Sequence, residues 1–350
     1  MIRKRKKVKK EVLINIYKSA QKMLKDGNYI EAENEFNRIL QIDPNNIYTC
    51  VGLGNLKRKI KSFKDAIFYY KKALKIDHNN KYALVGLGDA YRGLKKIEDA
   101  LETWLHYLSL YPNDYKTMTR VADGFRKINK LEDSRKYFLL AIEQKADDLY
   151  ALMGLGDIYA KMGNYGEALK YFHIVISMSD QAIVALTSMA NIYRRQGYYE
   201  KAKECYDKAL TISPHDSYSW HGKADCLRGM KDYSSAIQAW QKALKYGMNS
   251  KMVLTRIGDA FVNIGEFQQA ELHYKNALEL GYDKFAYLGL AKMYIKKNDI
   301  TMAIEMFTIL FDRDANDTRA LKEFKQLLNK HPEAKNLVRN ASETALSEHQ

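Results

Sequence analysis

One 34-residue pattern governs this chain. Its clearest copy is Lys81–Asp114, KYALVGLGDAYRGLKKIEDALETWLHYLSLYPND, and copies fill residues 13–317, beginning at Leu13, Ile47, Lys81, Tyr115, Leu149, Ile183, Ser217, Lys251 and Lys284. Every spacing between starts is 34 except the last, which is 33, and that deletion falls near Gly281. A fixed period of this length replaces the two or three compact domains that 350 residues would otherwise suggest with a single array of supersecondary units.

The columns of the pattern say what each unit is. Position eight is always Gly or Ala, as at Ala20, Gly54, Gly88 and Ala122, and position twenty is Ala in every copy but one, where it is Ser134. Position twenty-four is always aromatic: Phe36, Tyr70, Trp104, Phe138, Phe172, Tyr206, Trp240, Tyr274 and Phe307. Small residues let two helix backbones approach closely, and a ring opposite them fills the space they leave. Between the two helices lies a turn such as Gly27–Tyr29, Gly163–Tyr165 or Gly265–Phe267, whose first residue (Gly, Asn or Lys) suits the left-handed region after a helix C-terminus. Each unit therefore reads as a hairpin of two helices, each of about twelve to fourteen residues, that cannot bury its apolar face without a neighbour. Four prolines in the whole chain fit an all-α fold, since proline breaks helix interiors.

Small residues at eight and twenty, an aromatic at twenty-four and Pro44, Pro112 and Pro214 at thirty-two resemble the tetratricopeptide repeat (TPR), which has the same period. The resemblance covers residues 13–317 in nine copies; proline is replaced at His78, Ala146, Asp180 and Met248, which loosens inter-repeat turns without threatening the fold. It implies a right-handed α-α superhelix, a TPR solenoid, with its concave face lined mainly by the first helix of each repeat. Beyond the last repeat, residues 318–332 carry Leu321, Phe324, Leu327 and Leu328 on one stripe, predicting a capping helix that Pro332 ends. Residues 333–350 lack a periodic apolar pattern and are expected to be disordered, as is the arm of residues 1–12.

That arm holds much of the charge. The net charge is +15, but the first ten residues carry seven Lys or Arg and no acid, and without them 50 basic residues face 42 acidic ones. The repeats themselves are thus only mildly basic, and no specific nucleic-acid binding is expected of them. No apolar run reaches the length of a secretory signal core or a membrane span, so cytoplasmic residence without membrane insertion is expected. Cys50, Cys205 and Cys226 are an odd number with no CxxC spacing.

Chemistry is not written into the pattern. The pairs Gly52/Gly54, Gly86/Gly88 and Gly154/Gly156 imitate a nucleotide loop, but they lie inside helices with no preceding strand, where close helix packing accounts for them. No catalytic motif and no metal-ligand spacing is present. The expectation is a protein without enzymatic activity, cofactor or metal.

The resemblance further implies that positions two, five, nine, twelve and thirteen face the groove. Position nine reads Asn55, Asp89, Asp123, Asp157, Asn191, Asp225 and Asp259, and position twelve supplies Arg58, Arg92, Arg126, Arg194 and Arg228. Residues three apart share a helix face, so these form a ladder whose five Asp and five Arg cancel. Two readings of it stay open: the ladder pairs with itself, or it grips a peptide backbone and its acidic groups. Position two adds Tyr48, Tyr82, Tyr150 and Tyr218. Lys116 and Arg120, with Asn55, resemble part of the carboxylate clamp of chaperone-binding members, but Val51 and Gly86 stand where its lysine and second asparagine belong. The expected role is a scaffold or adaptor holding an extended peptide or a helix of a partner protein. The alternatives are a nucleic-acid or anionic-membrane tether acting through the basic arm, or a regulatory subunit of a separate enzyme.

Overall fold

The computed structural model describes residues 2–248 and 250–332, which form nineteen α-helices and no strand. In chain order these are α1 (Ile2–Asp26), α2 (Tyr29–Ile42), α3 (Ile47–Lys59), α4 (Phe63–Ile76), α5 (Lys81–Gly93), α6 (Ile97–Leu110), α7 (Tyr115–Lys127), α8 (Leu131–Gln144), α9 (Leu149–Lys161) and α10 (Tyr165–Met178). They continue as α11 (Ile183–Arg195), α12 (Tyr199–Ile212), α13 (Ser217–Gly229), α14 (Tyr233–Lys245), α15 (Lys251–Ile264), α16 (Phe267–Glu279), α17 (Lys284–Lys296), α18 (Ile300–Arg313) and α19 (Thr318–Lys330). The chain divides into two compact units, with the division between Val175 and Ile176 inside α10.

In the first unit each helical hairpin closes over its own ring. Phe36, Tyr70, Trp104 and Phe138 are fully buried, each in a separate core cluster with the small residues of its hairpin. Burying a side chain of this size stabilises by about 1.5–3 kcal/mol, so the unit is held by a series of modest cores rather than one large one. The glycine pairs explain how the rings fit. A β-carbon placed on Gly54 would come within 2.6 Å of Tyr70 in the same repeat, and one on Gly86 would collide with the same ring from the next repeat. Tyr70 is therefore seated between two glycine backbones, and position six matters as much as position eight.

The second unit repeats the arrangement with Trp240, Tyr274 and Phe307 in its cores. Its last helix, α19, buries Ala320 and Leu327 and sets Phe324 against Phe307 and Phe311, with ring centroids 5.2 and 5.4 Å away.

The hairpin turns use the left-handed region. Gly27, Gly163, Gly197 and Gly265 adopt it, and so do Lys61, Lys95, Asn129, Lys231 and Asn298. At the second of these sets the helix end is closed by paired bonds, for example Ser62 N–H to the Lys57 carbonyl at 2.8 Å and Lys61 N–H to the Arg58 carbonyl at 3.1 Å.

One expectation is corrected. Residues 2–12 belong to α1 instead of forming an unstructured arm. Ile16, Ala20 and Leu24 anchor that helix in the first core, and lysine and arginine are good helix formers that allow it to run on toward the N-terminus. Residues 333–350 lie outside the described residues.

Candidate partner-binding face

In most repeats the second residue of the first helix is a large apolar side chain that stands exposed. Tyr48, Tyr82, Tyr150 and Tyr218 are 68, 63, 53 and 75% exposed, and Val184, Met252 and Phe285 occupy the same position in their repeats and are also exposed. All but Phe285, whose ninth-position residue is Lys292, lie seven positions before a ninth-position acid or amide, two turns away on the same helix face.

Position nine has two fates, chosen by the ring at position twenty-four. Where that ring is tyrosine, its hydroxyl donates to position nine: Tyr70 to Asn55 at 2.7 Å, Tyr206 to Asn191 at 2.9 Å and Tyr274 to Asp259 at 2.7 Å. In the third, fourth, fifth and seventh repeats, where the ring is Trp or Phe, the side chain is Asp and it meets arginine. Asp89 is buried and is met by Arg58 and Arg92 at 3.1 Å and by Arg120 at 3.2 Å. Asp123 is buried and is met by Arg126 at 2.6 Å and Lys127 at 3.4 Å. Asp157 is met by Arg126 at 3.1 Å. Asp225 is buried and is met by Arg256 at 2.7 Å, Arg194 at 3.0 Å and Arg228 at 3.9 Å.

The register accounts for these partners. Arg58–Asp89, Arg126–Asp157 and Arg194–Asp225 are 31 residues apart, one repeat less one helical step of three, and so are Asp89–Arg120 and Asp225–Arg256. Asp89, Asp157 and Asp225 thus crosslink successive repeats, whereas Asp123 is held within its own helix.

The titration of these groups follows their surroundings. Burial works to raise the Asp123 carboxyl, but the Arg126 hydrogen bond and Lys127 outweigh it and hold the group below its ordinary value. At Asp157 burial prevails over Arg126 and Lys161, and the carboxyl is pushed up. Asp259 is exposed to the cavity it borders, yet desolvation by the surrounding protein pushes its carboxyl up, against the opposing pull of Tyr274, Arg319 and Arg228. His221 is pushed down chiefly by burial, with Asp225 opposing and Arg256 assisting, so its neutral ring faces Arg256 Nη1 at 3.1 Å from Nε2.

The ladder therefore pairs with itself to a greater degree than an open peptide-gripping row requires, and its Asp and Arg do not cancel evenly. Asp89 and Asp225 each hold three guanidiniums. The partial carboxylate clamp is also occupied from within: Arg120 is bound to Asp89 and to the Lys116 carbonyl at 3.1 Å, and Asn55 accepts from Tyr70, leaving Lys116 exposed. Arg256 and Arg319 escaped the reading by columns, while His221 sits at position five, one of the positions expected to face the groove. The signal for Arg256 was present, since it occupies position six, as Arg120 does, one repeat after an aspartate. Arg319 forms no ion pair among the described residues and borders a cavity of about 1040 Å³ with Met252, Asp259 and Phe285.

Stacked two-helix hairpins at a 34-residue period define the class of the fold: an all-α helical-repeat protein. Four tetratricopeptide-repeat family models match residues 47–80, 82–114, 122–182 and 183–216, and the chain is a tetratricopeptide-repeat protein. Among solved structures, a tetratricopeptide repeat protein from Parabacteroides merdae superposes with a TM-score of 0.54 at 18% identity, covering 71% of this chain and 98% of that one. Pseudomonas aeruginosa pilF superposes with a TM-score of 0.51 at 16% identity, covering 61% of this chain and 96% of that one. Both likenesses concern the fold. The Arabidopsis thaliana ETO1-like protein 2 is 32% identical over 77 residues, a stretch that is 22% of this chain and 8% of that protein's length. Among the described residues no helix is long and apolar enough to cross a membrane.

Proposed function

We propose that this chain is a non-enzymatic adaptor that holds an extended segment of a partner protein along the face formed by its first helices. The observation that carries the reading is the row of exposed apolar residues at position two, with Tyr48, Tyr82, Tyr150 and Tyr218 as its aromatic members. Exposed apolar surface that recurs in register, rimmed by arginine, has the composition of a binding hot spot. The Asp–Arg crosslinks support the same reading indirectly, because they hold the helices that present the row in a defined spacing and lower the ordering cost of binding.

The test uses residues whose removal leaves the cores intact. Replacing Tyr48, Tyr82 and Tyr218 together by Ser, followed by affinity capture and mass spectrometry against the unaltered chain, should remove a specific set of partners while the far-ultraviolet circular dichroism is unchanged. An identical partner set in both samples would rule the reading out. Residues such as Asp89 and Asp123 are unsuitable for this purpose, since their buried ion pairs bear on folding as well.

A further inference from the structure

The two three-arginine centres are copies of one another. Arg58, Asp89, Arg92 and Arg120 become Arg194, Asp225, Arg228 and Arg256 on adding 136 to each number, which is four repeats of 34. The geometry is copied as well as the composition. In each centre Oδ2 of the aspartate takes the first arginine, Arg58 at 3.1 Å or Arg194 at 3.0 Å. In each, Oδ1 takes the other two, at 3.1 and 3.2 Å from Asp89 and at 3.9 and 2.7 Å from Asp225.

The surroundings follow the same offset. Tyr82 and Tyr218 stand exposed two turns before their aspartates, and Trp104 and Trp240 lie buried in the hairpins that carry them. Even the unsatisfied donors correspond, since Arg58 Nε and Trp104 Nε1 are buried without an acceptor, as are Arg194 Nε and Trp240 Nε1. One centre lies within the first unit and the other within the second.

Each centre sets three guanidiniums against one carboxylate and so keeps an excess of two positive charges. A guanidinium presents five N–H donors, and a carboxylate accepts about four hydrogen bonds, so most of the donors are left for another acceptor. The arginine side chains remain between 27 and 46% exposed, within reach of an incoming group. In the second unit the cavity beside Arg228 and Arg256 is also bordered by Lys251 and Arg319, with Asp259 and Asp283, while Lys284 at its edge is paired with Asp314 and Asp317. Planar guanidiniums match carboxylates in a bidentate manner, and an exposed tyrosine beside them suits a peptide rather than an isolated ion.

We infer that the chain binds two acidic peptide segments of the same kind, one at each centre, each segment placing neighbouring Asp or Glu side chains on the arginines and its backbone against Tyr82 or Tyr218. This rests on the adaptor reading above and adds the chemistry of the partner and the number of sites.

The probe is N-acetylated, C-amidated hexaglutamate, titrated calorimetrically into the full chain at low ionic strength, with hexaglutamine as the control. Two sites per chain are expected, with binding that weakens as salt is added and no binding of hexaglutamine. Arg92→Gln and Arg228→Gln each leave their aspartate two arginines. Each should remove one site, by at least a tenfold loss of affinity, and the double variant should remove both, with thermal unfolding close to that of the parent. A single site in the parent chain, loss of both sites from one substitution, equal binding of hexaglutamine or no binding would overturn the inference. A single-stranded oligouridylate that displaces the peptide at the same salt would overturn the assignment to an acidic protein. A single hexaglutamate site would leave the adaptor reading intact, because the tyrosine-row variant reads natural partners independently of this probe.

Discussion

Arg58 and Asp89 lie 31 residues apart in the chain and 3.1 Å apart in the fold, and the aspartate of that pair is buried. A charge taken out of water costs several kcal/mol unless its partners stay in place, so this contact makes the junction between two repeats depend on a carboxylate. Arg92 and Arg120 share the load, which makes the acid and the bases unequal in consequence.

Asp89→Ala should lower the unfolding free energy by about 3–5 kcal/mol, since it leaves guanidinium groups partly buried without a counter-charge. Arg92→Ala should cost less than about 1 kcal/mol, because Asp89 retains two arginines and the lost contact is partly solvent-exposed. Urea denaturation of the two variants measures the contrast. Equal losses would mean that the three arginines act as one unit.

Glycine substitutions should separate packing from propensity. Inside an exposed helix, Gly→Ala is stabilising by roughly 0.5–1 kcal/mol, and Gly166 in α10 has nothing closer to its missing β-carbon than Asn164 at 4.0 Å. Gly166→Ala should therefore gain up to that amount. Gly54→Ala should instead lose about 1–3 kcal/mol, because the added methyl meets Tyr70 at 2.6 Å in a ring site with little room to yield. Thermal melts that shift in opposite directions for the two variants would bear this out.

Asp259 should respond to pH in the sense opposite to Asp123. Its carboxyl is pushed above the ordinary value of 3.8. Folding therefore favours the protonated form, and this contribution is present below the ordinary value and lost as pH rises through the folded one. Asp259→Asn removes the charge and keeps an acceptor for Tyr274, the arrangement already found at Asn55 with Tyr70 and Asn191 with Tyr206. The variant should melt higher than the parent at pH 7, and the advantage should shrink as pH falls toward 4. A melting temperature at or below that of the parent at pH 7 would show that Asp259 is stabilised there as an anion.

Much of this molecule is visible in its columns. The all-α repeat class follows from small residues at eight and twenty and a ring at twenty-four, because only a close helical hairpin has a use for that combination. The exposed row was legible too, since position two repeats Tyr48, Tyr82, Tyr150 and Tyr218 at multiples of 34. The pairing of the ladder was less so. A column shows which residue types recur, while Arg58 reaches forward to Asp89 and Arg120 reaches back to it, and direction is a property of packed helices.

The sequence by itself determined the repeating unit, the rings that fill it and the kind of surface it presents, because these depend on side-chain size and on periods of 3.6 and 34 residues. Only the tertiary structure decided that Asp89 and Asp225 are buried hubs rather than open rungs, that glycines at positions six and eight seat one ring from both sides, and that residues 2–12 continue the first helix. The reason is physical. Burial, and the choice among several arginines by one carboxylate, arise only when a hairpin meets its neighbour, and no single repeat contains that information.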